Sequence, residues 1–147
     1  ESCDILKALE LYESRNGEPY IKKPGEDLNS ILTGIVQPKG RVHFAICPQI
    51  TEEELRRYDD YTNNEYHRAV AGLLDQRIHA AYRLQPNNYI AHDLRYGQQH
   101  YRDRYTDEER DAFLEHMKKL SDVDISEPDV LRDIFLGIYA NPVENRE

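Results

Sequence analysis

Residues 34–47 read GIVQPKGRVHFAIC, and whether this stretch is a strand decides whether the chain is purely helical. From Arg41 onward, Val42, Phe44 and Ile46 fall on one side of an extended run and Arg41, His43 and Ala45 on the other, which is the two-residue period of a half-buried strand. Ile35 and Val36 can pair back across Gln37-Pro38-Lys39-Gly40 as a hairpin. No other stretch reads convincingly as a strand. A two-stranded ribbon is marginal by itself because its outer edges keep unpaired N–H and C=O groups, so this segment asks for a sheet that the rest of the sequence does not supply.

Outward from it, helix signals dominate. Asp4 is placed to cap a first helix with Ile5, Leu6, Leu9 and Tyr12 on one face, ending near Asn16-Gly17. A second helix follows Pro24, with Leu28, Ile31 and Leu32 apolar and Gly34 ending it. Thr51-Glu52-Glu53-Glu54 is a capping box, in which the Thr51 hydroxyl takes the Glu54 amide and the Glu54 carboxylate takes the Thr51 N–H. From Leu55 through Tyr66, Val70 and Leu73 to Ala81 a three-and-four spacing predicts one long helix reaching Leu84, bent near Thr62-Asn63-Asn64. Thr106-Asp107-Glu108-Glu109 is a second box, opening a helix that buries Phe113, Met117 and Leu120. The last helix starts at Ser126 with Pro128 in its first turn, aligns Leu131, Ile134, Phe135 and Ile138, and stops at Asn141-Pro142. The fold class is therefore mainly α: a helical subdomain with one short β-strand or hairpin, an α+β fragment.

At 147 residues the chain is one domain's worth, and no apolar run approaches the length of a bilayer span. It starts Glu1-Ser2-Cys3 with neither Met nor a leader, which reads as a piece cut from a longer protein. Cys3 and Cys47 lie far apart and fit reduced thiols, hence a cytoplasmic location.

The net charge of −9 is uneven: −5 over residues 1–76, +3 over 77–105 and −7 over 106–147. The middle is a basic, aromatic island. From it Arg77, Arg83, Arg95, Tyr82, Tyr89 and His92 are the candidate contacts for an anion or lipid head group. Nucleic acid is a weaker partner for the same residues, since the chain as a whole is acidic and a domain-wide basic field is the usual footprint.

No residue is assigned to catalysis. There is no Gly-x-Ser-x-Gly elbow, no glycine-rich phosphate loop and no strict metal signature; Asp75 and His79, one helical turn apart, read as a surface contact. No metal and no cofactor are expected. Within Pro86-Asn87-Asn88-Tyr89-Ile90-Ala91-His92-Asp93, an asparagine is expected to cap a short helix and Asp93 to pair with Arg95 or an arginine of the long helix. His92 and Asp93 as an acid-base couple is disfavoured because adjacent helical residues diverge.

The segments CDILKALELYESR (3–15), KKPGEDLNSILTGIVQPKGRVHFAICPQI (22–50) and LLDQRIHAAYRLQPNNYIAHDL (73–94) resemble the C-terminal part of bacterial glycerolipid acyltransferases of the 1-acylglycerol-3-phosphate acyltransferase superfamily, most like those of the Bacteroides group. The likeness runs to about residue 95 and fades beyond. In that family a strand followed by a Gly-x-Pro-Ile-type turn closes the catalytic sheet; residues 41–50 are similar to that element, with Cys47-Pro48-Gln49-Ile50 departing from the usual turn. The family's HxxxxD motif, whose His acts as general base, is absent here, because none of the six histidines is followed five residues later by Asp.

The resemblance implies that this is the non-catalytic C-terminal region of a peripheral inner-membrane O-acyltransferase, inactive alone. Residues 1–50 would then edge the catalytic fold and 51–147 extend it, with the upstream catalytic domain as partner and an acyl carrier or lipid head group as further contacts. The alternative is a stand-alone helical interaction or nucleic-acid-binding module.

Overall fold

The structure, a computed structural model, describes residues 3–17 and 19–145. The described residues are mainly α-helical and contain no strand. The chain groups into two compact units, one formed by the residues up to Arg41 together with those from Leu84 onward, the other by Val42–Arg83.

The first unit is organised by α7 (Pro128–Glu144). Its Leu131, Phe135, Tyr139 and Val143 recur every four residues, with Leu136 and Ala140 beside them, and all six are buried. Against this stripe pack α1 (Asp4–Ser14), through Ala8 and Tyr12, and α5 (Pro86–Tyr96), through Ile90 and Ala91. α6 (Asp107–Met117) packs on α5 and brings in Phe113, whose ring meets Tyr139 edge-on at 5.2 Å and Phe135 at 5.9 Å. The box at Thr106 forms as its sequence predicts: the Glu109 N–H donates to Thr106 Oγ1 at 3.2 Å and the Thr106 N–H to Glu109 Oε2 at 3.0 Å.

α7 does not stop at Asn141-Pro142. Pro142 lies in its last turn, where the missing N–H forfeits one intrahelical bond, and the Asn145 N–H still reaches the Asn141 carbonyl at 3.0 Å.

The expected strand or hairpin does not form. α2 (Glu26–Val36) runs on through Gly34 and absorbs Ile35 and Val36, the intended partner strand. Its end is held by the Gln37 N–H, which donates to the Thr33 carbonyl at 3.1 Å, and by Lys39 Nζ, which donates to the carbonyls of Ile35 (3.3 Å) and Gln37 (2.7 Å). No buried residue comes from α2, and Leu28, Ile31, Leu32, Ile35 and Val36 all stand exposed.

In the second unit, residues 42–46 therefore keep the alternating pattern without a ladder, and Val42, Phe44 and Ile46 are 76%, 85% and 89% exposed. What holds the segment is polar: His43 Nε2 lies 3.1 Å from the Ala81 carbonyl and the Cys47 thiol donates to the Arg77 carbonyl at 3.5 Å, both on α4 (Asn63–Ala81).

The predicted long helix is two, α3 (Glu52–Arg56) and α4. They separate because Thr62 starts afresh, its N–H and hydroxyl both donating to Glu65 Oε2, at 3.0 and 2.8 Å. Arg77 Nη2 ties α4 back to α3 by donating to both oxygens of Glu54 at 2.7 Å. No residue of this unit is buried.

Glu54 accepts from the Thr51 N–H at 2.9 Å as well as from Arg77, and these bonds, the backbone one foremost, hold its carboxyl down at about 2. A folded value below the unfolded one, about 4.3, means that the contribution is full above that pH and is lost as pH falls toward 2. The Glu54 side-chain carboxyl carbon, followed by NMR, is expected to titrate near 2 and to move up toward the ordinary range in Arg77→Met.

Candidate functional site

The Pro86–Gly97 stretch is α5 with both of its ends closed. Pro86 occupies the first turn, and Asn88, not a cap itself, reaches back so that its Oδ1 accepts the Gln85 N–H at 2.7 Å. The Asn88 amide also donates to the Tyr139 carbonyl at 2.8 Å, which pins the start of α5 to α7. At the other end Gly97 takes φ 62°, a left-handed turn that directs its own N–H and that of Gln98 onto the Asp93 carbonyl.

Asp93 is buried and does not pair with Arg95 or with an arginine of α4. It accepts the Tyr105 hydroxyl at 2.8 Å and the Tyr101 N–H at 3.2 Å. Burial first, and then the bond to Asp93, raise the Tyr105 hydroxyl above its ordinary value, so it remains a donor throughout the neutral range. His92 Nδ1 lies 4.0 Å from Asp93 Oδ1, beyond hydrogen-bond reach, and its ring sits near Tyr96 (4.8 Å) and Tyr101 (5.0 Å). The two residues are not an acid-base couple.

Beside Asp93 a cavity of about 280 Å³ is lined by Gln98, Arg102, Asp107 and Arg110 among others. Arg102 is already committed there, donating to the Tyr105 carbonyl at 2.7 Å and pairing with Asp107.

Arg95 lies along α7. Nε and Nη2 grip Asp133 at 3.0 and 3.1 Å while Nη1 donates to Asn141 Oδ1 at 2.9 Å. Asp133, Gly137 and Asn141 are spaced by four, and the guanidinium crosses the middle position: a Cβ on Gly137 would stand 3.2 Å from Arg95 Nη1. The glycine is what lets the fork lie flat on the helix. Bonding to Asp133 raises the Arg95 pKa.

The six island residues divide between the units. Tyr89, His92 and Arg95 are on α5 of the first, where Tyr89 meets the Tyr101 ring at 5.1 Å. Arg77 is on α4 of the second, Tyr82 closes that helix by donating its N–H to the Ile78 carbonyl at 2.8 Å, and Arg83 follows, exposed.

A cluster the sequence does not announce joins the ends of the first unit. Asp4, the opening residue of α1 and not its cap, is buried; its Oδ2 accepts the Tyr139 hydroxyl at 2.6 Å and lies 2.7 Å from His116 Nε2. The partners are 112 and 135 residues away, too remote for any spacing rule. Among the described residues no three His, Cys, Asp or Glu side chains converge as a metal would require, and no helix is long and apolar enough to cross a membrane.

Fold and clusters together define a mainly α-helical protein whose buried carboxylates are structural anchors. No protein-family model matches the chain, and no curated protein or solved structure matches it either.

Proposed function

We propose that this chain is the C-terminal, non-catalytic part of an O-acyltransferase of phospholipid biosynthesis, one that moves a fatty acyl group from a thioester to a glycerolipid hydroxyl. Its partner is the catalytic sheet of the same protein, working at the cytoplasmic face of the inner membrane. The observation that carries the reading is the segment 42–46: it has strand periodicity and no ladder, and three apolar side chains alternate along it with nothing covering them. A side chain of this size gains about 1.5–3 kcal/mol on full burial. Docking along a sheet edge would bury one face of the segment and fill the edge's hydrogen bonds in the same step.

The bare apolar face of α2 supports the same reading, since contiguous exposed apolar surface marks an interaction site. Arg83, exposed and without an ion-pair partner among the described residues, is the island residue left for a carrier phosphate or head group.

The test is acyl transfer from a labelled acyl thioester to 1-acylglycerol 3-phosphate, using the chain expressed together with the coding sequence that precedes it in its gene. Activity is expected there and not in the isolated chain, and Phe44→Lys with Ile46→Lys should abolish it while leaving the isolated chain's melting unchanged. A preceding sequence without HxxxxD, or full activity in the double variant, would overturn the reading.

A further inference from the structure

α4 is apolar on two sides. Tyr66, Val70 and Leu73 lie half-buried on the side from which Arg77 reaches Glu54 of α3. Ala71, Leu74 and Ile78 form a second stripe that stands exposed, Leu74 by 47% and Ile78 by 52%. A helix with two apolar sides has a use for two neighbours, and this stripe has the three-and-four spacing of a helix-pairing seam. Along it, on the flank away from Arg77, Arg68 and Asp75 are exposed two turns apart, and neither has an ion-pair partner among the described residues. From the stripe and its flanking charges we infer that α4 pairs antiparallel with α4 of a second copy of this chain.

The charges fix both orientation and register. About a two-fold axis level with Gly72 and Leu73, Leu74 lies across from the partner's Ala71, whose small side chain leaves it room, and Ile78 across from the partner's His67. Arg68 then reaches the partner's Asp75 and Asp75 the partner's Arg68, so a single arrangement forms two equal ion pairs. A parallel pair would set Arg68 against the partner's Arg68 and Asp75 against the partner's Asp75. Sliding the antiparallel pair to place Leu74 across from the partner's Ile78 would bring the two Asp75 carboxylates together. Each copy has a net charge of −9, so association needs a contact in which unlike charges meet. So short a seam buries less than the roughly 800 Å² per partner of a standard interface, which makes the pairing weak and reversible. It uses neither α2 nor residues 42–46, and it stands whether or not the chain serves acyl transfer.

Sedimentation equilibrium of the full chain at up to about 1 mM, in low salt where charge pairs are least screened, tests it. A monomer–dimer equilibrium with a Kd of about 0.1 mM is expected. Leu74→Lys should abolish it. Arg68→Glu and Asp75→Arg, exposed substitutions whose fold is checked by an unchanged thermal midpoint, should each weaken it by about tenfold. These two reversals move the net charge in opposite directions, so weakening by both comes from the seam and not from the general field. Both reversals in one chain let unlike charges face each other again and should return the Kd to within about threefold of wild type. A monomer at 1 mM, a dimer untouched by Leu74→Lys or by either single reversal, or a double reversal no stronger than the singles overturns the pairing.

Discussion

Phe135→Ala is expected to destabilise the protein by about 3–5 kcal/mol, the range for emptying a fully enclosed aromatic site. The Phe135 side chain is inaccessible to solvent, and its ring packs against Phe113 at 5.9 Å, Tyr139 at 5.5 Å and His116 at 6.1 Å. Those neighbours come from two helices that also carry the Asp4 cluster, so collapse around an alanine would pull hydrogen bonds out of line. The cavity stays largely open, and the loss is a large share of the roughly 5–15 kcal/mol that holds a domain folded. Urea unfolding followed by circular dichroism measures it. Phe44→Ala, at a ring already in water, should fall within about 0.5 kcal/mol of wild type. A loss below about 1 kcal/mol for Phe135→Ala would mean that α7 is not the organising helix.

Asp4→Ala is expected to cost about 3 kcal/mol, in the range for removing one partner from a buried hydrogen-bonded charge. The Tyr139 hydroxyl would be left buried without its acceptor, His116 Nε2 would lose its carboxylate, and the Ile5 N–H would lose the 2.8 Å contact to Asp4 Oδ1. Tyr139→Phe removes the hydroxyl and its need together. The double variant should therefore be more stable than the sum of the single losses predicts, by about 1–2 kcal/mol. Additive losses in that cycle would show that the hydroxyl and the carboxylate do not act as a unit.

The Thr51 and Thr106 boxes, Pro128 in the first turn of the last helix and the apolar stripe of α7 through Leu131 and Phe135 were all legible in the sequence. Each depends on residues within about one turn of each other, where spacing alone sets the geometry. The break between α3 and α4 was half legible, because Thr62 and Glu65 form a box of the same kind inside a continuous apolar rhythm. At Pro142 a strong stop signal failed, since a proline close to a helix end forfeits only one bond.

The candidate site was less legible. Arg95 carries the same charge as Arg83, and only the bare backbone of Gly137, 42 positions later, turns the one into a clasp on α7 while the other stays in solvent. Tyr105 takes Asp93 ahead of any arginine because the turn at Arg102–Arg104 returns the chain over the end of α5.

By itself the sequence determined that this is a mainly helical chain, where several of its helices begin, and which side of the last helix is apolar. Local hydrogen bonds and the helical period carry that information with no help from distant residues. Tertiary structure decided the choice of Asp4 as the acceptor for His116 and Tyr139 and of Asp93 as the acceptor for Tyr105, whereas Ile35 and Val36 were taken into α2, and so lost to the Val42–Ile46 run, by bonds within residues 33–39. A ladder or a buried carboxylate needs partners brought together by packing, and their distance along the chain says nothing about their distance in space.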